Sequence, residues 1–313
     1  MSTPTLTAAS PPDPAAPTGR RSLRQIDPRT KRRAATSAAM KGLLTAVMAA
    51  ACVPLLLILY VVAERGWHVI NLHFFTQDTL PFRLEGGGFR QGFVGSFLIM
   101  ALAIPMAVGF GIAAAVYLVE YGKGKKLAVL VRFVTDVMTG VPSIFVGLFV
   151  YAVLVIGTVR IGFGTLPAAV AIAIVMLPIV VRSSEEMLKL VPDHLRSASL
   201  GLGARRWQTT TKVVLPAAAP GLATGSMLAI ARGAGETAPL ILTGLGSFTM
   251  TVYLVGERQA SLPQLIHQNA VQPFPPGIDR AWGGALCLVL ITLLFTVVAR
   301  TISARFSARR EGM

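Results

Sequence analysis

Long apolar segments alternating with short polar ones are the dominant pattern in this chain of 313 residues. Apolar runs recur at residues 42–63, 93–120, 127–159, 165–181, 220–245 and 283–301. Most approach the roughly 20 residues that a helix needs to cross a bilayer. Within each run the apolar residues are continuous and do not alternate, so helices are predicted and the strands of a membrane barrel are not. The run at 127–159 is too long for one straight span, and Arg132, Asp136 and Pro142 interrupt its first part. It predicts an interfacial helix near 127–138 and a span near 140–158. The pattern as a whole predicts an all-α membrane protein with six transmembrane helices.

Residues 1–38 lack this pattern. They are rich in Pro, Ala, Ser and Thr and then in Arg, which predicts a disordered basic tail ahead of a transmembrane domain at 39–313. The first apolar run is longer than a signal-peptide core and has no clear small-x-small cleavage site after it. It therefore reads as a retained span.

Composition agrees with a membrane chain. Hydrophobic residues make up 53% and charged residues only 14%, against about 25% charged in soluble domains. The net charge of +15 is decided by position. Of the 29 Lys and Arg, 22 lie in the N-terminal tail, the second and fourth connections and the C-terminal tail, while 6 lie in the other three connections. The positive-inside rule then places both termini in the cytoplasm of a multi-pass cell-membrane protein. The basic residues occupy separated loops without an aromatic platform, which argues against nucleic acid. Cys52 and Cys287 sit inside apolar runs and read as small apolar residues, not as a disulfide or metal site. Trp67, Phe74 and Phe75 suit a membrane interface, and His68 and His73 lack further clustered ligands. "FRLEGGGFRQGF" (82–93) reads as a turn into the second span and a candidate surface for an external partner. There is no G-x-x-x-x-G-K-[ST] and no nucleophile–base constellation, so no ATPase, no other enzyme and no cofactor is expected.

The one basic residue left inside a span is Arg232, in "IARGAGETAPL" (230–240), four residues before Glu236. At about 100° per residue, Arg232 and Glu236 share a helix face with the small residues Gly221, Gly225, Ala229 and Gly233. Such a stripe lets another helix approach closely. With a span starting near Pro220, Arg232 is expected roughly 18 Å into a core of about 30 Å. A charge there is costly, about 2.5–3.5 kcal/mol on insertion scales, and the i, i+4 pairing offsets part of this. Pro239 is expected to bend the helix. Two readings stand: an ion pair locking the helix to a partner, or a pair lining an anion path, where the planar arginine fork suits phosphate oxygens. Thr237 is grouped with the pair as a path residue. Ser143, after Pro142 at a helix start, is either an anion contact or a cap.

The largest connection, 182–219, predicts a compact knob. Pro192 breaks the chain, Asp193 reads as an N-cap, Gly201 and Gly203 turn the chain, and Trp207 and Val213–Leu215 lead into the next span. It is either an amphipathic loop on lipid or a docking element for a cytoplasmic partner.

"SASLGLGARRWQTTTKVVLP" (197–216) resembles the EAA loop of binding-protein-dependent ABC importer permeases, through Ala198, Gly203, Leu215 and Pro216. Ser197 stands where that family has a glutamate. "GVPSIFVGLF" (140–149), "VRSSEEMLKLVP" (181–192) and "ARGAGETAPL" (231–240) resemble the phosphate branch of the same family over about residues 40–305. The resemblance implies a type I ABC importer permease architecture and a phosphate-import role. It also implies a complex with a second permease subunit, an ATPase dimer and an external phosphate-binding protein. ATPase coupling would fall to Ser197, Ala198, Gly201, Gly203, Trp207, Leu215 and Pro216, and the path to Arg232, Glu236, Thr237 and Ser143. A permease for sulfate or molybdate and a stand-alone ion-coupled transporter are the alternatives.

Overall fold

In the computed structural model, residues 28–311 are described, and those residues are mostly helical. The chain divides into two compact units, 1–59 and 60–313. The described part of the first belongs to helix α1 (Pro28–Trp67), whose residues 32–59 are exposed. This helix starts at Pro28, inside the stretch whose composition predicts a tail, and residues 1–27 lie outside the described residues.

The second unit holds the end of α1 and every later element. In order these are α2 (Leu72–Thr76), α3 (Arg90–Val116), α4 (Lys126–Gly140), α5 (Ser143–Val150), α6 (Thr165–Lys189), α7 (Asp193–Gly201), α8 (Arg206–Thr209), α9 (Leu215–Gly235), α10 (Ala238–Thr243), α11 (Leu262–Ala270) and α12 (Pro275–Glu311). Single π-helical turns extend α3 (Tyr117–Tyr121) and α5 (Tyr151–Val155), and a third (Thr210–Val214) joins α8 to α9. Among the described residues five stretches are long and apolar enough to cross a membrane: Arg32–Trp67, Arg90–Tyr121, Thr165–Lys189, Arg206–Gly235 and Pro275–Val297. Where a sixth crossing is expected, near 140–158, the chain forms a sharply bent pair, with α4 and the α5 segment meeting at 109°. Pro142 causes the break, because its ring excludes helical geometry at Val141, which is extended (φ −75°, ψ 125°).

Helix α6 is the axis of this unit. In its most apolar window 61% of the residues are buried, against 22–33% for the other spans of the unit. Helix α3 packs most extensively against it, and α9 next. Ile99, Ala103 and Ala107 of α3 meet Ala168, Ile172, Met176 and Val180 of α6 in the main core, with Ala229 and Leu240. The small-residue face predicted on the fifth span serves this contact: Gly221, Gly225 and Gly233 lie against Met187, Ser183 and Met176. The stripe is thus used within the chain. The other side of α9, with Met227, Ile230 and Ala234, faces Met100, Ile104 and Phe295 across a groove of about 150 Å³.

The fifth span departs from its predicted limits. It starts at Arg206 and stops at Gly235, and does not continue to residue 245. Glu236 is extended (φ −71°, ψ 131°), and Pro239 stands in the first turn of a separate helix, α10. Proline is well placed there because its missing N–H would have no intrahelical partner. Pro239 therefore begins a helix and does not bend one. Arg232 accordingly lies in the last turn of α9, and not near the middle of a continuous span.

The connections are also built on buried side chains. Phe74 is fully buried and contacts Phe75, Phe89 and Phe93, with ring centroids 5.1–6.1 Å apart within this group, so this aromatic is core and not an interfacial belt. Cys287 joins the same cluster. Arg280, 2% exposed, donates to the carbonyls of Leu84, Gly86, Leu80 and Pro81 at 2.7–3.3 Å and pins the 80–86 loop to α12.

Candidate functional site

A cavity of about 290 Å³ opens where α4, α5, α6 and the end of α9 converge. Its walls are apolar side chains such as Met138, Phe145, Val146, Phe149, Val175 and Ile179. Its polar lining is Thr139, Ser143 and Arg232. Two broken helices make this place. α5 begins at Ser143, behind the N-cap Pro142, with no side chain capping its first turn. That end of α5 carries the partial positive charge of unpaired N–H groups. α9 ends one residue before Glu236, and its carbonyl end favours a cation such as Arg232 in the last turn. α10 packs on both α5 and α6. Gly147 allows the closest approach: a Cβ there would lie 2.6 Å from Pro239 Cα.

The Arg232 Nε lies 3.3 Å from Glu236 Oε1, with side-chain exposures of 59% and 15%. The carboxylate is the sheltered partner and the guanidinium reaches out. A hydroxyl, a cation and a helix N-terminus around an otherwise apolar space can hold an anion while offering little to a cation or a neutral polar solute. The fold brings Ser143 and Arg232 into one cavity, and Glu236 joins through its ion pair. Thr237 is the N-cap of α10 and is not among the cavity-lining residues.

One turn further along α4 and α6 lies a charged seam. Glu185, 1% exposed, accepts from Arg132 Nε at 2.8 Å and pairs with Lys189 Nζ at 2.7 Å. Arg182 lies 3.4 Å from Asp136 and 3.7 Å from Glu186. These contacts tie α4 to α6. Reading the sequence flagged Arg132 and Asp136 only as helix breakers. The available signal was two adjacent carboxylates, Glu185 and Glu186, at the end of an apolar run.

The knob is real as a shape. α7 is capped by Pro192, and Asp193 occupies its first turn, one position inside the predicted cap. α7 ends at Gly201, and Gly203 takes φ +84°, its N–H bonding the Leu200 carbonyl at 2.9 Å. This left-handed stop is one that glycine adopts without steric cost. Ser197 donates to the Asp193 carbonyl, and Ser199 and Thr209 hydroxyls lie 2.9 Å apart, joining α7 to α8. Ala198, Gly201, Leu202 and Trp207 are exposed, Leu202 at 90%. Leu215 and Pro216 open α9 at the base of the knob, where Leu215 packs against buried Leu188, Val214 and Ala218. Sequence reading missed Arg196, whose ion pair with Glu120 spans 76 positions.

Comparison with known proteins fits this architecture. The family described as "Binding-protein-dependent transport system inner membrane component" matches residues 107–312. The phosphate transport system permease protein PstA of Yersinia pestis is 39% identical over 251 residues, covering 80% of this chain and 84% of that protein. PstA 1 of Mycobacterium tuberculosis is 38% identical over 265 residues, covering 83% and 86%. Among solved structures, a chain of the MetNI methionine ABC transporter in inward-facing conformations matches with TM-score 0.56 at 19% identity, covering 69% of this chain and 96% of that one. A chain of a bacterial alginate ABC transporter in complex with its pentasaccharide-bound periplasmic protein matches with TM-score 0.59 at 16% identity, covering 86% and 96%. Long apolar helices, a bent helix pair and a knob fit a multi-pass membrane protein, and the chain belongs to the binding-protein-dependent transport system inner membrane component family, among the phosphate transport system permease proteins.

Proposed function

We propose that this chain is the permease subunit through which an ABC importer moves inorganic phosphate into the cytoplasm, driven by ATP hydrolysis on separate subunits. Both termini and the knob at 190–214 face the cytoplasm in this reading, as the distribution of 22 against 6 basic residues supports. The partners are a second permease subunit, an ATPase dimer seated on the exposed Ala198–Trp207 surface, and an external phosphate-binding protein.

The observation that carries the proposal is Arg232, set in a cavity with Ser143 and held by a sheltered carboxylate. Phosphate entering the cavity competes with Glu236 for the guanidinium. Glu236 in turn keeps the site from binding too tightly, so that the anion leaves. The relatives' printed names support phosphate as the anion.

The test is uptake of radiolabelled phosphate by the assembled complex. Arg232→Ala is expected to reduce uptake to background while the subunits still co-purify. Normal uptake by an assembled Arg232→Ala complex would refute the role. Sulfate or molybdate that competes as well as unlabelled phosphate would refute the choice of substrate.

A further inference from the structure

We infer that Arg196 and Glu120 form the joint through which motion of the knob reaches the transmembrane helices. The inference rests on the proposed importer function and adds positioning residues to it.

Arg196 lies on α7, within the knob, yet its side chain is only 14% exposed. It turns inward, away from the surface offered to a partner. Its Nη2 donates to Glu120 Oε1 at 2.9 Å and its Nε to the same oxygen at 3.1 Å. Nη2 also donates to the Leu188 carbonyl at 2.9 Å, and Nη1 to the carbonyl of Val191 and to Asp193 Oδ1. One side chain thus fastens α7 to the end of α3 and to the end of α6, the two most extensively packed helices of the unit. Glu120 is 12% exposed and sits in the π turn of α3. Such turns re-aim side chains and mark functional places in helices.

The knob also shares apolar packing with α3, for Val191 and Val214 join Ala115 and Val119 in one buried cluster. Tyr121 and Thr210 hydroxyls lie 3.5 Å apart, across from one π turn to the other. Beside the joint is a cavity of about 110 Å³ lined by Glu120, Tyr121, Arg196, Leu200, Arg206 and Thr209. At this edge of the contact the charge-assisted bonds add a directional fastening to the apolar cluster. Two sheltered charges bonded to one another resist separation, because parting leaves each uncompensated. A displacement of α7 by ATP-driven closure then drags α3 and α6, and with α6 the cavity wall at Val175 and Ile179.

The test uses the full complex in proteoliposomes with its external binding protein, reading ATP hydrolysed and phosphate imported together. Glu120→Gln keeps the size and an acceptor but not the charge, and Arg196→Lys keeps the charge but not the fork. In both, the ATPase subunits are expected to remain bound and hydrolysis to continue, while phosphate imported per ATP falls roughly tenfold. Glu120→Asp, which keeps the charge, restores part of the ratio. An unchanged ratio in Glu120→Gln and Arg196→Lys, or equal losses for Asp and Gln at 120, would overturn the inference. Spin labels at Leu202→Cys and Phe110→Cys, in a Cys52→Ser background, give a readout independent of substrate. The label distance holds across the ATP cycle with Glu120 present and changes with Gln. The same distances in both would overturn the joint. A wild-type complex whose hydrolysis is stimulated but which imports no phosphate would instead refute the proposed function, leaving the distances to decide the joint.

Discussion

Two arginines in this protein meet the membrane problem in opposite ways. Arg232 keeps a carboxylate 3.3 Å away and presents an exposed guanidinium to a cavity. Arg280 is buried with no carboxylate partner among the described residues and directs its donors to Asn269 and four backbone carbonyls. The first is built to exchange partners and the second to hold one loop. Arg280→Met should therefore leave the uptake chemistry intact but release the 80–86 loop. That loop's residues are mostly exposed, so water replaces some lost bonds and the stability loss is expected near the low end, about 1–3 kcal/mol. Faster hydrogen exchange confined to residues 77–90 would show it, and unchanged exchange there would count against the clamp. Arg232 was legible in the sequence because a charge stands out inside an apolar run. Arg280 and Arg196 were not, because nothing local says that a basic residue near a helix end turns inward. The partners that fasten them to other elements lie 194–200 and 76 positions away.

At the scale of elements, the prolines were read at the right places and one of them with the wrong effect. Pro142 and Pro239 both mark breaks. A proline in an apolar run signals either a kink or a fresh start, and the choice depends on whether the preceding residues are held helical by neighbours. Here Gly235 and Glu236 are not, and α10 starts anew against α5. Irregular backbone at membrane depth persists only where protein buries it or a cavity hydrates it, and the α5–α10 contact meets the first condition. Gly147 is the contact's critical residue. In Gly147→Ala the added methyl meets Pro239 backbone at 2.6 Å, which cannot swing aside as a side chain would. A cost of about 1–3 kcal/mol is expected, as for other overpacked sites. It should appear as a lower melting temperature of the purified complex, with loss of uptake following loss of fold. A variant with wild-type melting would show that the two half-helices are free to part. Helix existence and the knob were thus legible, since hydrophobic runs and glycine stops are local signals. The breaks within spans depended on tertiary support that no single segment records.

For the whole molecule, the charge distribution predicts a testable orientation. Leu202 is 90% and Tyr253 66% exposed, on connections with opposite predicted sides. In a Cys52→Ser background, a membrane-impermeant maleimide should label Tyr253→Cys on intact cells and Leu202→Cys only after permeabilisation. The reverse pattern would invert the topology and, with it, the direction of transport. The fold class, the number of apolar runs and the candidate arginine could be read from the sequence. The use of the small-residue face within the chain could not, because a stripe does not name its partner. The three π turns, at 117–121, 151–155 and 210–214, bear on how such a chain changes length over generations. Each is a helix carrying one residue too many. The wide turn absorbs that residue, so losing it leaves an ordinary helix whose later residues keep nearly the same face, and at these three places the chain can change length by one without a change of phase. Two of them flank the Arg196 joint, and there a single lost codon would remove the bulge that holds Glu120 or joins the knob to α9, while the rest of each helix keeps its direction.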